Sequence, residues 1–351
     1  MGTMMAQTVS AAARHWYFTN RPVGDLDDNT LTLKEEALAA LSDGELLVRT
    51  IYISMDATNR LWLSEWDLYM DTIPLGERMQ GFAIGEVMDS KNPAYPKGAL
   101  VTGLFPWADR FVTTGEGFQV FPDIPGLDLA EAFGILAVAG PTAIHGLLKV
   151  GRPEPGQTVL VTAAAGAVGQ LVGQIAKIHG CRVIGVAGGD DKCRMLTELY
   201  GYDAAVDYKK GDLVEQLRTV APEGIDCLFE NVGGEVLDAG LTVMNDFGSV
   251  VICGLISSYN SADPVPGPYM FRNLIMRRLR VEGFVILDHM DAFPEYQAQM
   301  IEWMVQGKLK YRLHVVEGLE NCLNALKLLY TGGNTGKVMA KVGAEPGEVE
   351  G

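Results

Sequence analysis

Thr158-Val159-Leu160-Val161-Thr162-Ala163-Ala164-Ala165-Gly166-Ala167-Val168-Gly169-Gln170 is the stretch on which the reading of this chain turns. Its first five residues are mostly β-branched and nearly all apolar, as a short strand buried on both faces should be. A Gly-rich turn follows at once. Val168, Leu171, Val172, Ile175 and Ala176 then fall at helical spacing until Gly180 closes the helix. A turn that ends a strand and opens a helix presents free backbone N–H groups and the positive end of the helix dipole, which together favour a pyrophosphate. Ala164 replaces the first glycine of the usual Gly-x-Gly-x-x-Gly form. Gly166 is left to bring the backbone against the phosphates, and Gly169 and Gly173 to let the helix lie close on the sheet.

The alternation continues downstream. Arg182-Val183-Ile184-Gly185-Val186-Ala187 reads as a second strand, residues 191–199 as a helix and residues 203–206 as a third strand. Further strands are expected at 225–229, 249–253 and 279–286, with helical segments between them. Strands alternating with helices predict an α/β fold with a Rossmann-type, doubly wound parallel sheet. Residues 1–135 differ. Runs at 45–53, 85–88 and 99–102 read as short strands between turns containing Pro and Gly, the pattern of an antiparallel, barrel-like domain. After a helix around 292–305, the tail from His314 to Val342 carries another helix and a last strand and is expected to return to the first domain. Two domains follow: residues 1–135 with 315–351, and residues 136–314.

The second strand identifies the dinucleotide. An NAD site usually places Asp or Glu at its end, to accept from the adenosine ribose 2′-hydroxyl. Here it ends Val186-Ala187-Gly188-Gly189, with no carboxylate until Asp190. Lys192 follows, either to pair with a 2′-phosphate or to sit as a solvated helix residue. The missing acid favours NADPH over NADH.

Composition narrows the classes. The 351 residues are 48% hydrophobic and 21% charged, with a net charge of -16. That charge argues against nucleic acid and anionic membrane surfaces as partners and suits a cytoplasmic protein. No run approaches ~18 consecutive apolar residues, so no membrane-spanning helix is expected. The N-terminus lacks the basic start and apolar run of a signal peptide, and whether Met1-Gly2-Thr3-Met4-Met5 is native stays open. Cys181, Cys193, Cys227, Cys253 and Cys322 are scattered singly and read as reduced, mostly buried thiols. His15, His145, His179, His289 and His314 show no metal-ligand spacing.

Together with Asp207-Tyr208-Lys209, Glu230-Asn231-Val232-Gly233-Gly234, Cys253-Gly254-Leu255-Ile256-Ser257-Ser258-Tyr259-Asn260 and Gly333-Asn334-Thr335-Gly336-Lys337, the Gly-rich stretch resembles the medium-chain dehydrogenase/reductase superfamily. Within it, the chain is most similar to the zinc-free branch of leukotriene B4 dehydrogenases, prostaglandin reductases, alkenal double-bond reductases and curcumin reductases. The resemblance is dense from about Gly140 to Lys341. It implies a GroES-like barrel, a Rossmann domain, an active site in the cleft between them, and a homodimer. It also implies cofactor contacts from Ala165, Gly166, Ala167 and Val168 of the turn, from Gly188, and from Cys253. Lys192 and Tyr208 match residues that hold the adenosine 2′-phosphate. Asn231 matches a residue beside the pyrophosphate and ribose, and Asn334 and Gly336 match contacts near the nicotinamide. Read without the resemblance, the Asn231 segment is a tight turn and the Asn334 segment a loop.

Zinc alcohol dehydrogenases of this superfamily need Cys, His and Glu ligands in the first domain, whereas residues 1–180 here contain no cysteine. Met79-Gln80-Gly81-Phe82-Ala83 stands where those enzymes carry Gly-His-Glu, so no metal site is expected. A site without a Lewis acid suits an α,β-unsaturated carbonyl, because hydride arriving at the β-carbon moves charge onto an oxygen that a hydrogen-bond donor can stabilise. Tyr259 matches the family tyrosine over the nicotinamide pocket and either donates to the enolate oxygen or packs beside it. In the first domain Met55-Asp56-Ala57-Thr58-Asn59-Arg60 departs from the branch pattern: Thr58 replaces a substrate-reaching tyrosine. Ile144 likewise stands where mammalian enzymes have Tyr. Thr58, Tyr52 and Tyr69 are the candidate pocket residues, with Trp62, Trp66 and Trp107 nearby in sequence. The resulting expectation is NADPH-dependent reduction of the C=C bond of enones or enals. The alternatives are a quinone reductase, a zinc-free carbonyl or alcohol oxidoreductase, and a non-catalytic nucleotide-binding scaffold.

Overall fold

The computed structural model describes residues 12–348; residues 1–11 and 349–351, with the Met1-to-Met5 opening and the outer ends of the first expected domain, lie outside it. An antiparallel pair, β1 (Ala12–Phe18) and β2 (Leu31–Ala37), precedes β3 (Leu46–Ser54), β4 (Gln80–Ser90), β5 (Leu100–Pro106), β6 (Arg110–Thr113) and β7 (Gln119–Val120). Then come β8 (Thr158–Val161), β9 (Arg182–Ala187), β10 (Ala204–Asp207), β11 (Ile225–Glu230), β12 (Met244–Ile252) and β13 (Arg280–Gly283). The chain finishes with β14 (Leu313–Glu317) and β15 (Lys337–Lys341).

The strands from β8 to β13 form one parallel sheet in the order β10-β9-β8-β11-β12-β13. Every residue of β8 is buried, which is why Val159-Leu160-Val161 runs apolar rather than alternating. The chain builds outward from β8 to β10, returns, and builds the other way from β11 to β13. The direction therefore reverses between β8 and β11, the crevice where open α/β sheets bind ligands.

The second sheet runs β14-β15-β3-β4-β5-β7, with β6 also pairing β3. Its pairings are antiparallel except for β14 with β15. The tail thus returns to the first domain through β15, where Ala340 pairs Ile53, and the return begins at Leu313. The strand expected over 279–286 is confined to Arg280–Gly283, because a 3-10 helix takes over at Ile286.

The expected division at residues 135/136 falls inside a continuous helical run, Leu129–Gly151, of alternating α and π turns. This run is long and apolar enough to cross a membrane by length and composition, unlike the sequence expectation. Yet 78% of its most apolar window is buried inside the protein, so it is a core helix. One apolar core joins Tyr52, Ile84 and Met339 of the second sheet to Phe133, Leu147, Val161 and Phe229. A shared, close-packed core of this kind fixes the two sheets relative to each other.

Candidate functional site

The Gly-rich turn leaves β8 at the point of reversal. Ala163 takes a positive φ of 46°, and its carbonyl accepts from the Gly166 N–H at 2.9 Å. A Cβ on Gly169 would lie 2.5 Å from that same carbonyl oxygen, so Gly169 is required by the turn's own backbone. The alanine in place of the first glycine is accommodated by the neighbouring strand. Ala164 sits over Gly185 of β9, where an added Cβ would come within 3.0 Å of its methyl group. Gly173 differs from expectation: it does not approach the sheet directly. The buried Tyr202 ring lies between Gly173 and Gly185, and its hydroxyl donates to the Gly169 carbonyl at 2.7 Å. No side chain caps the helix Gly169–Ile178, and the N–H groups of Ala167 and Val168 meet no acceptor among the described residues. Free donors at a helix start are what a phosphate requires.

At the end of β9 the acids are neutralised: Asp190 pairs with Lys210, and Asp191 with Arg194. Lys192 is neither solvated nor idle. Half-buried, it donates to the Gly332 carbonyl at 2.9 Å and has no carboxylate partner among the described residues. Burial first, and then the nearby Lys209 ammonium, hold its pKa below the usual lysine range. Gly188 is required here, because a Cβ would come within 2.8 Å of the Tyr208 ring and 2.9 Å of the Lys209 stem. A cleft of about 450 Å³ lies between this segment and the returning tail, lined by Gly188, Asp191, Lys192, Arg194, Gly332 and Asn334 among others. Tyr208 stands exposed beside it.

Asn231, at the end of β11, is tied to the β8 end. Its backbone N–H donates to Thr162 Oγ1 and its Nδ2 to the Thr162 carbonyl, both at 2.8 Å. This clasp closes the floor of the crevice. Beneath it lies a residue that the sequence did not single out. Glu230 is wholly buried, and its Oε1 accepts from the Val232 and Gly233 N–H groups at 2.5 and 2.6 Å. Burial pushes its carboxyl up to about 7, against those backbone hydrogen bonds. A carboxylate closing an apolar strand, Phe229-Glu230-Asn231, was the available signal. The tail reaches the turn directly, since the Gly336 N–H donates to the Ala165 carbonyl at 3.2 Å. Asn334 Nδ2 donates to the Gly336 carbonyl at 2.8 Å, which shapes this bend.

Beyond the turn, the Cys253 N–H donates to the Glu230 carbonyl at 2.9 Å. Burial, reinforced by the Glu230 charge, lifts the Cys253 thiol to about 12, which keeps it protonated. The Tyr259 hydroxyl accepts from the Leu255 N–H at 3.0 Å, so its own proton is free to point elsewhere. Burial raises its pKa, with smaller contributions from Cys253 and Tyr69. Tyr69 shares a hydrogen bond with Thr58 Oγ1 and lies near Tyr259, so Thr58, Tyr69 and Tyr259 form one group of side chains. Arg60, which closes the first-domain motif without a role assigned from the sequence, and Tyr330, which no motif marked, support this group. Arg60 Nε donates to Asn260 Oδ1 at 3.1 Å, and the Tyr330 hydroxyl to the Ala57 carbonyl at 2.7 Å.

Tyr52 does not join them. It is buried in the shared core and its hydroxyl donates to Glu345 at 2.5 Å, which corrects its assignment as a pocket residue. Trp62, Trp107 and Ile144 are core residues too, whereas Trp66 is exposed. Met79 and Ala83 are also core, and a Cβ on Gly81 would meet Trp107 Nε1 at 2.6 Å. Among the described residues no three His, Cys, Asp or Glu side chains gather as a metal site.

Two family models match: one described as the N-terminal domain of oxidoreductase, over residues 14–121, and one described as zinc-binding dehydrogenase, over residues 167–306. The NADPH-dependent curcumin reductase of Escherichia coli is 37% identical over 95% of this chain and 97% of its own. The NADP(+)-dependent 2-alkenal reductase of Nicotiana tabacum is 36% identical over 94% of this chain and 96% of its own. The crystal structure of CurA from Vibrio vulnificus in complex with NADPH superposes with a TM-score of 0.89 at 36% identity, covering 95% of this chain and all of that one.

Proposed function

The chain belongs to the zinc-free, curcumin reductase-like branch of the medium-chain dehydrogenase/reductase superfamily, and from that premise we propose that it reduces the C=C bond of α,β-unsaturated ketones or aldehydes with NADPH. The single observation that carries the cofactor half is Lys192: a half-buried ammonium with no carboxylate partner among the described residues, facing a cleft whose acids are already paired. The residues fit an adenosine 2′-phosphate there, held by Lys192 and flanked by Tyr208. They fit a pyrophosphate at the uncapped helix start, over Ala165, Gly166, Ala167 and Val168. Gly188, Asn231, Cys253, Asn334 and Gly336 line the remaining length of the cofactor groove.

When bound, the nicotinamide would supply a hydride to the substrate β-carbon, and the enolate so formed takes its proton at the α-carbon from solvent. The chain's own part is to orient the substrate and stabilise the charge that moves to its oxygen. Tyr259 suits the second task, because the Leu255 N–H fixes its oxygen while leaving its proton to donate. Its raised pKa keeps that proton in place at neutral pH. Thr58, hydrogen-bonded to Tyr69, belongs to the same group of side chains as Tyr259. A threonine where relatives of this branch place a tyrosine leaves room for a bulkier substrate.

The assembly is a cytoplasmic homodimer. Supporting the dimer, β13 is the outermost strand of its sheet, and Tyr269, Phe271, Ile275 and Met276 beside it are exposed. The test of function is NADPH consumption with matched panels of enals, enones, quinones and simple ketones. Turnover of enals and enones supports the reading. Turnover confined to quinones or ketones replaces it, and tight NADPH binding with no turnover makes the chain a scaffold.

A further inference from the structure

Lys337 is 3% exposed, yet it carries a charge that neither the cofactor groove nor the substrate wall uses directly. Its ammonium donates to Asp56 Oδ1 at 2.5 Å and to the Met55 carbonyl at 2.9 Å. Burying an ammonium costs several kcal/mol unless it is well paired, so this placement demands both partners. Asp56 is in turn built into its loop. Its Oδ2 accepts from Ser54, its N–H donates to Asn59 Oδ1 at 2.8 Å, and the Asn59 N–H returns to the Asp56 carbonyl at 2.9 Å. That loop leads straight into Thr58 and Arg60, which face Tyr69 and Asn260. On its other side Lys337 follows Gly336, whose N–H holds the Ala165 carbonyl of the Gly-rich turn. Gly336 has a φ of 81°, and a Cβ there would lie 2.1 Å from the Arg312 carbonyl oxygen, so this bend is a fixed one.

We infer that Lys337 is a positioning residue: through Asp56 its buried ammonium holds the loop carrying Thr58 in register with the turn that seats the cofactor. One residue apart, Gly336 grips the cofactor side and Lys337 the substrate side. The segment 332–337 is thus the strut that sets the distance between hydride donor and acceptor. This role rests on the proposed enone reduction in the cleft, and it adds to it a loss that falls on the substrate side alone.

The experiment is Lys337→Met, which keeps an unbranched apolar stem, one atom shorter, and removes the charge. Hydrogen exchange is followed for segments 55–62 and 163–172. NADP+ affinity is read by fluorescence titration, and enal kinetics by KM and kcat. Faster exchange in 55–62 with 163–172 unchanged is expected. The enal kcat/KM should fall on the order of 10²-fold, the scale of a substrate misplaced by about 1 Å, while NADP+ affinity stays within about twofold. Lys337→Arg, which retains the charge, should recover most of the loss. Unchanged exchange and enal KM in a folded Lys337→Met protein would overturn the inference, as would an equal loss of NADP+ affinity. Should Lys337→Met fail to fold, Asp56→Asn takes its place in the same assays, since it keeps an oxygen for Lys337 and drops the counter-charge. Faster exchange confined to 55–62 then supports the role of Lys337, and unchanged exchange or an equal loss of NADP+ affinity overturns it. If the unaltered chain turns over no enal, the functional reading fails while the exchange measurement still decides the role of Lys337.

Discussion

Lys192 Nζ donates to the carbonyl of Gly332, 140 residues further along the chain, at 2.9 Å. That bond draws the tail across the cleft at the end of β9, the proposed adenosine end of the groove, and poises the ammonium beside it. Lys192→Ala is expected to raise the NADPH KM about 10- to 100-fold, the scale of one or two lost charge-assisted hydrogen bonds. The NADH KM should change little. Equal effects on both cofactors would remove Lys192 from the phosphate site. Because burial and Lys209 lower its pKa, Lys192 loses its proton at a lower pH than an ordinary lysine. The preference for NADPH over NADH should therefore decline on the alkaline side earlier than a free lysine would dictate, a trend that paired titrations across pH will reveal.

Gly173→Ala gives opposite signs for two effects. In an exposed helix interior the change stabilises by up to about 1 kcal/mol. Here the new methyl carbon would lie 2.0 Å from the ring of buried Tyr202. Displacing that ring also breaks its bond to the Gly169 carbonyl at the start of the turn. Overpacking wins, and a net loss of roughly 1–3 kcal/mol is expected in urea denaturation. A stabilised variant would show that Tyr202 moves aside freely.

Strand β8, the turn and its helix were legible in the sequence because both faces of β8 are buried and the helix has a clear apolar period, which are local properties. The Tyr202 wedge was not legible. It depends on three residues, Gly173, Gly185 and Tyr202, meeting across separate elements. Tyr52 was misread for the converse reason. It is close in sequence to Thr58, but β3 turns its ring into the core and its hydroxyl toward Glu345. The partnership of Thr58 with Tyr69 and that of Lys337 with Asp56 likewise depend on tertiary placement, which no periodicity reports.

Glu230 should leave a signature in the pH dependence of stability. The unfolded carboxyl ionises near 4.5, whereas the buried one does so at about 7. Between those values the unfolded chain releases the proton and the native state retains it, so rising pH favours unfolding by about 1.4 kcal/mol per unit. This group alone removes roughly 3 kcal/mol of stability across the window, and nothing further above it. Glu230→Gln should flatten that part of the profile, measured as urea midpoints from pH 4.5 to 7. A variant profile parallel to the original would show that Glu230 keeps its charge in the fold.

The proposed dimer surface can be probed without touching the cleft. Phe271 and Ile275 are more than half exposed beside the outer edge of β13. Phe271→Asp with Ile275→Asp places charge in any apolar contact there, while costing the monomer little because neither side chain is core. The double variant should sediment as a monomer where the original sediments as a dimer. An unchanged dimer would move the interface to another face.

Tyr259→Phe separates the two roles open to that residue. The variant keeps the ring against the cleft wall and removes the oxygen that accepts from the Leu255 N–H and offers its proton to the cleft. If the hydroxyl stabilises charge on the substrate oxygen, kcat should fall on the order of 10²-fold, as when one oxyanion donor is lost. NADPH affinity should hold, because neither the Gly-rich turn nor the Lys192 cleft involves this ring. A fall in kcat shared equally with NADPH affinity would point instead to a loosened loop around Leu255, now missing its hydrogen-bond acceptor. An unchanged kcat makes Tyr259 a wall, and the charge on the substrate oxygen must then be met by another donor, with the Tyr69 hydroxyl bonded to Thr58 the next to test.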